Sequence, residues 1–415
     1  MLNKTKDISF YYFLACTSFV LGLFMQDFFK VPLTGGVIIL GLSWIFTFAY
    51  QEKFQTLLKQ PVAIAFIFLY FLHLLSMIYT ENHAEGWNDL RLKITLFLLP
   101  LFMMSTRCIL REQRIFLLKF FAVLMMLMAA VDLALSISEY LVSGNSDLFY
   151  YAHLAHILAS KPHYVAWYYS FAIFIALYQI LTGKKWRYLW LFGFVLLLIS
   201  LVLLSSRAYI MAFIIVFSIS VVKWAKTNVI SRSGWVKILF ASSMFIGALF
   251  LIPKTNSRIN DGIVELQKLL GSDTHKQTNT RVYLWKYGAR LIAEKPLLGY
   301  GVGDAKSELN RALKDCDAEF WNGERNVPIY EKNHNFHNQY LQTWAEVGVL
   351  GFLLLIFLMI RPFFLKDQHP LFLIFLGLTI IGFITESMLE RQAGVVFIAF
   401  MYPLLSGLKK KTESP

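Results

Sequence analysis

Long apolar runs separated by short polar breaks dominate the chain, at about 8–25, 31–50, 62–79, 94–106, 115–141, 163–182, 188–205, 208–224, 237–252, 338–360, 371–387 and 392–408. Most approach the roughly 20 residues that a helix needs to cross a bilayer core. The pattern therefore predicts an all-α polytopic membrane protein with about 12 transmembrane helices. The first run has Lys4 and Lys6 ahead of it and no small-residue cleavage site behind it, so it reads as a retained span rather than a signal peptide. A single long hydrophilic stretch breaks the rhythm. The chain then divides into helices 1–9 within 1–252, a loop domain over 253–336, and helices 10–12 with a tail over 337–415.

Within the loop, Thr278, Asn279 and Thr280 offer N-cap oxygens. Val282, Trp285, Ala289 and Ile292 then recur at helical spacing until Pro296, which predicts an amphipathic helix over 281–294. Gly299-Tyr300-Gly301-Val302-Gly303 follows as a turn. A dinucleotide loop would follow a strand, and this one follows a helix and a proline. Residues 304–333 mix Asp, Glu, Lys and Asn and predict short helix and loop. No internal repeat is visible, and no pair of interrupted spans in matching positions, such as many transporters carry.

Composition agrees: 57% hydrophobic against 16% charged residues is far outside the globular norm. The net charge of +13 carries topology instead of a partner. With the N-terminus in the cytoplasm, Lys53, Lys59, Arg107, Arg111, Arg114, Lys184, Lys185, Arg187 and Lys223 fall inside, while the short outer loops keep Lys30, Arg91, Lys93, Lys161, Arg207 and Arg391. Twelve spans also return Lys409, Lys410 and Lys411 to the cytoplasm and place the long loop outside. Nucleic-acid binding would want the charge clustered on one soluble face among aromatics, which it is not. Cys16 and Cys108 lie in or beside spans and only Cys316 lies outside, so no external disulfide can form within the chain.

The outward charges are Arg91, Lys93, Arg207, Arg281, Arg290 and Arg391. Ser205-Ser206-Arg207-Ala208 leaves almost no loop between two spans, so Arg207 sits at membrane depth, where an unpaired charge is costly and by default a functional candidate. Converging guanidinium groups suit phosphate, which they grip with paired hydrogen bonds. Snorkelling to lipid headgroups is the plainer explanation for each. His337, at the entry to the run that starts at 338, can act as a general base near neutral pH, with Asn338 helping to orient it. His334 adds a second imidazole, but no third ligand at fixed spacing completes a metal site. Asp132, Glu386 and Glu390 are candidate partners for these cations, or simply helix-stabilising pairs. His153, His156 and His163 stay unassigned. Asp315-Cys316-Asp317 has the form used by sugar-nucleotide enzymes, yet falls on the outer side, where sugar nucleotides are absent. Ala345, Gly348 and Gly351 put small residues on one side of a span and would let a neighbouring helix approach.

These residues resemble the O-antigen ligase and polymerase superfamily of bacterial membrane glycosyltransferases. His337-Asn338 with Gly348 and Gly351 fits the family's histidine motif. Ser206-Arg207 is similar to its arginine site, and Arg281 with Trp285, Glu294-Lys295-Pro296-Leu297-Leu298-Gly299 and Gly301 to its Arg-to-Pro-Leu-Leu-Gly block. Leu92 to Pro100 resembles the segment before its early span. The resemblance implies an undecaprenyl-diphosphate-linked glycan as donor and a sugar hydroxyl as acceptor, on lipid A-core for a ligase or on another lipid-linked glycan for a polymerase. It implies a site on the periplasmic face of the bacterial inner membrane. His337 would take the acceptor proton and an inverting attack would follow, with Arg207, Arg281, Arg91 and Lys93 holding the diphosphate and Asn338, Arg290, Glu386 and Arg391 in support. No metal or cofactor is required, because diphosphate already leaves well. The short loop over about 142–162 favours ligase over polymerase, and charges gathered at the outer face favour transfer over flipping of a lipid-linked sugar.

Overall fold

The computed structural model describes residues 2–26, 30–157, 162–183, 185–226, 280–315, 319–321 and 326–409. Every expected apolar run within them falls on a helix. In chain order the helices are α1 (Leu2–Met25), α2 (Val31–Phe46), α3 (Tyr50–Leu58), α4 (Pro61–Ser76), α5 (His83–Lys93), α6 (Thr95–Met104), α7 (Arg111–Ser143) and α8 (Pro162–Thr182). They continue as α9 (Arg187–Leu203), α10 (Arg207–Lys226), α11 (Thr280–Glu294), α12 (Ala305–Ala312), α13 (Gln339–Ile360), α14 (Pro370–Thr385) and α15 (Gln392–Ser406). The expected span at 237–252, the loop up to Asn279, and Lys161, Lys184, Cys316, Asp317, Lys410 and Lys411 lie outside the described residues. Ile8–Met25, Arg111–Ser143, Pro162–Thr182 and Gln339–Phe364 are long and apolar enough to cross a membrane alone, while α4, α9, α14 and α15 are apolar but shorter. The chain is a mainly helical, multi-pass membrane protein.

The run 31–50 does not continue straight: α2 and α3 meet at 112°. Phe48 takes left-handed backbone (φ 57°) at the bend. Lys53 holds it by donating to the Trp44 carbonyl and lying over the Trp44 and Tyr50 rings, 4.5 and 4.7 Å from their centroids.

At the centre stand α8 and α15, apolar on nearly every side and almost wholly buried. Phe397 of α15 gathers Tyr168, Trp167, Phe121 and Phe375 at centroid distances of 4.3, 4.8, 5.5 and 5.5 Å, the range where ring edges and faces attract. The last carbonyls of α15 need donors in a lipid setting. Arg114 of α7 supplies them, Nη1 reaching the carbonyls of Pro403 and Leu404 at 2.8 Å each, a cation at the negative end of the helix dipole.

The hydrophilic segment departs from expectation twice. The buried face of α11 is Leu284, Gly288, Leu291 and Ile292, and Ala289 is exposed, because the helix packs against Phe336 and the start of α13. Beyond α12, β1 (Glu319–Trp321) pairs antiparallel with β2 (Asn326–Pro328), Phe320 opposite Val327, a short ribbon among the described residues, which are mainly helical.

The small residues of α13 also do something other than admit a neighbouring helix. The helix breaks at Val347 (φ −131°, ψ 18°) and Gly348 (φ 71°, ψ −172°). A break in an apolar environment strands backbone groups unless protein supplies partners. The Pro296–Gly301 turn does so: Tyr300 N donates to the Ala345 carbonyl (2.7 Å) and Gly301 N to that of Glu346 (3.0 Å), while Val349 N and Trp344 Nε1 donate to the Pro296 carbonyl, both at 3.0 Å. The same turn is stitched to the end of α4, where Val302 N meets Ser76 Oγ (3.1 Å) and Asp304 accepts from the amides of Glu81 (2.6 Å) and Asn82 (2.9 Å).

Candidate active site

His337 lies two residues before α13 in left-handed backbone (φ 44°). For a histidine that conformation costs on the order of 1 kcal/mol or more and persists only where neighbours impose it. Here the Asn335 side chain accepts from its amide (3.0 Å) and Trp285 Nε1 of α11 donates to its carbonyl (3.4 Å). Asn338 then caps α13, its side chain accepting from the amides of Tyr340 and Leu341 (3.0 and 3.1 Å) while its own amide donates to Ser387 Oγ (3.2 Å). The ring is aimed by three separate parts of the chain.

His337 Nδ1 sits 2.9 Å from a carboxylate oxygen of Glu386, the residue after α14. Arg281 Nη2 of α11 lies 3.7 Å from the same carboxylate. Burial would raise the Glu386 carboxyl, but the hydrogen bond and charge of His337, with further help from His163 and Arg281, hold it below the usual carboxylate range. An ionised carboxylate can only accept, so the proton of a neutral imidazole resides on Nδ1 and the lone pair on Nε2. The His337 side chain is 31% exposed and that of Arg281 32%, against 12% for Glu386. The acid is packed inside, and the base and the cation face outward.

A second imidazole borders the site. His163, at the start of α8, pairs through Nδ1 with Ser206 Oγ (3.2 Å) and through Nε2 with the Tyr151 hydroxyl (3.4 Å). Ser206 immediately precedes Arg207, the exposed first residue of α10. His334, buried beside His337 with ring centroids 6.3 Å apart, is pushed down to about 4, first by burial and then by the charge of His337, and so is neutral at physiological pH.

The other expected site residues are placed differently. Lys93 is fully buried, its ammonium ringed by Asp89, Glu346 and Glu390, and offers no donor to a ligand. Its expected diphosphate contact is therefore replaced by internal ion pairs. Arg91 is exposed on α5, and Arg391 is exposed at the start of α15. Arg290 pairs along its own helix with Glu294 at 3.3 Å on the surface. Asp132 is a structural acceptor for Ile157 N (3.0 Å) and the Tyr169 hydroxyl (3.1 Å). His163, Glu346 and His73 carry no motif that points to the site, although an ionisable residue within an apolar run is itself a signal.

Glu386 yields a stability prediction. Its folded value lies below its unfolded one, so its pairs stabilise the fold above the ordinary carboxylate value of ~4.3, and that stability drains away as pH falls through the folded value. Glu386→Gln is expected to melt lower than wild type at neutral pH, with the gap closing on acidification. A constant gap across that range would show that the charge on Glu386 contributes nothing.

What the arrangement can do chemically is withdraw a proton at His337 Nε2 beside a guanidinium that can meet an anion. Residues 192–356, which contain Arg207, Arg281 and His337, match the family described as O-antigen ligase. A Rickettsia conorii protein provisionally named a polysaccharide ligase is 31% identical over 127 residues, a match that spans 30% of this chain and 28% of that protein. Through this segment and its motifs, the chain is similar to the O-antigen ligase superfamily.

Proposed function

We propose that the protein is an inverting, metal-independent glycosyltransferase that moves a glycan from undecaprenyl diphosphate to a sugar hydroxyl, acting as an O-antigen ligase on lipid A-core. In this reading it resides in the bacterial inner membrane with some twelve spans, both termini cytoplasmic and the site periplasmic. One observation carries the proposal: Glu386 holds His337 Nδ1 at 2.9 Å and Arg281 at 3.7 Å, joining a general base to a cation. The acceptor hydroxyl gives its proton to Nε2 as it attacks the anomeric carbon, and the Glu386 carboxylate steadies the imidazolium that forms. Arg281 and Arg207 meet the charge that develops on the departing diphosphate.

Helix geometry supports an anionic group here. His163, Arg207, Arg281 and His337 all stand at or just before the N-termini of α8, α10, α11 and α13, the ends that carry partial positive charge. A lipid-linked donor also suits a site built at the ends of apolar helices, since its tail can stay in the bilayer while its diphosphate meets the cations.

The test is transfer by purified protein in detergent, given undecaprenyl-diphosphate glycan and lipid A-core. Glycan on lipid A-core is the expected product. Lengthened lipid-linked glycan with none on lipid A-core would make the protein a polymerase, and no transfer to either acceptor would abandon the transferase reading for transport of a lipid-linked sugar.

A further inference from the structure

The buried charges around Lys93 have no part in the reaction as derived so far. Lys93 Nζ reaches Asp89 at 2.8 and 2.7 Å, Glu346 at 3.0 Å and Glu390 at 3.0 Å, which uses all three of its N–H bonds. Glu346 also accepts from Gln342 Nε2 (2.6 Å) and pairs with His73 Nε2 (3.2 Å). Oxygens of Asp89, Glu346 and Glu390 lie within 4.8 Å of one another, a spacing that a metal ion could use, and the Lys93 ammonium already stands among them as the cation. Burial would lower the Lys93 ammonium, but the three carboxylates outweigh it and hold it well above its ordinary value. Burial, with Glu346 adding to it, also raises Glu390 to about 7 against the pull of Lys93.

The members come from distant parts of the fold. His73 belongs to α4, Asp89 and Lys93 to α5, Glu346 to the residue before the break in α13, and Glu390 to the short turn between α14 and α15. That turn begins at Glu386. It is tied to α13 twice more, by Leu389 N donating to Gln339 Oε1 (2.7 Å) and by Ser387 Oγ reaching Gln342 Oε1 (3.5 Å), the oxygen that also accepts from Phe336 N (3.3 Å). From Lys93, one route therefore runs through Glu390 to the turn and another through Glu346 and Gln342 to Ser387 and the residue before His337.

We propose that Lys93 is a positioning residue: by binding Glu346 and Glu390 at once, it locks the 386–390 turn against α13 and so keeps the Glu386 carboxylate on His337 Nδ1. This rests on the reading of His337 as the base. A tether is needed because Arg281 Nη2 stands 3.7 Å from the carboxylate that His337 Nδ1 meets at 2.9 Å, and a swing toward the guanidinium would take it from the imidazole. The imidazole would then lose the partner that sets its tautomer.

Removing Lys93 would strand one buried and two half-buried carboxylates and endanger folding, so the test falls on Glu390. Glu390→Ala cuts the tether while Lys93 keeps Asp89 and Glu346; Glu390→Gln retains an oxygen for Lys93 Nζ. In the detergent assay, Glu390→Ala is expected to lower kcat roughly 10–100-fold, as a misplaced catalytic group does, with donor KM within about threefold. The acid limb of its pH–rate profile should move to lower pH, and Glu390→Gln should stay near wild type. Proton NMR of histidine-labelled protein should show the His337 Nδ1–H resonance moving upfield in Glu390→Ala alone, a readout that needs no glycan and so separates failure of this proposal from failure of the transferase reading. A raised donor KM with kcat, pH profile and resonance all unchanged would overturn it and return Lys93 to the donor site.

Discussion

Replacing His337 by alanine is expected to slow glycan transfer roughly 10²–10⁴-fold, the usual worth of a positioned general base. The loss should fall on kcat, because the imidazole acts on the acceptor proton in the transition state, while the donor is held by cations elsewhere. His337→Gln sharpens the test. Glutamine keeps bulk and can still donate to Glu386, but it has no basic nitrogen at the position of Nε2, so it should be about as slow as alanine. A structural role for His337 would let glutamine restore the rate. Some activity should remain in both variants, since diphosphate leaves readily and the arginines still meet its charge. Near-normal transfer by the purified alanine variant would remove His337 from the mechanism.

The helical plan was legible because each run 16 or more residues long had no alternative: in lipid a segment must satisfy its own backbone, which a helix does. Helix ends in the structure fall within about six residues of the runs read from hydropathy. What hydropathy cannot register is a change of direction within an apolar stretch. The bend after Phe46 depends on Lys53 reaching back to Trp44, and the break at Gly348 depends on a turn some fifty residues earlier in the chain. Apolar residues continue through both, so the runs read as unbroken.

The site divides along similar lines. His337 and Arg281 were legible from residue type and position at the membrane face, and the fold brings both to one carboxylate. Glu386 could be named only as one possible partner among several acids, since nothing local to it specifies a histidine 49 positions away. Lys93 shows the limit most plainly. Its sequence neighbours are those of an outward cation, and the partners that draw it inward, Glu346 and Glu390, are 253 and 297 residues distant. Charge pairing over such separations belongs to tertiary packing, and a local pattern contains no trace of it.

Gly348→Ala is expected to be the most damaging single change outside the site, although it adds one methyl group. With φ at 71° and ψ at −172°, Gly348 occupies backbone space that is essentially reserved for glycine, at a cost of about 1–3 kcal/mol to any other residue. A Cβ there would also overlap the carbonyl oxygen and carbon of Leu297, backbone atoms of the turn that fills the break and cannot rotate away. Moving that turn would release Tyr300 N and Gly301 N from the Ala345 and Glu346 carbonyls and Val349 N from Pro296, leaving α13 broken and unsatisfied in an apolar setting. Glu346 would shift with it, and with Glu346 the ion pair to Lys93. The expected result is a large fall in melting temperature together with loss of transfer. Gly351→Ala is the control: its Cβ would press chiefly on the Val347 side chain and not on docked backbone, and its own backbone is helical, so it should be milder. If α13 needed small residues only so that another helix could pack closely, the two variants would suffer alike. Equal losses at 348 and 351 would therefore refute the docked turn as the reason for glycine at 348.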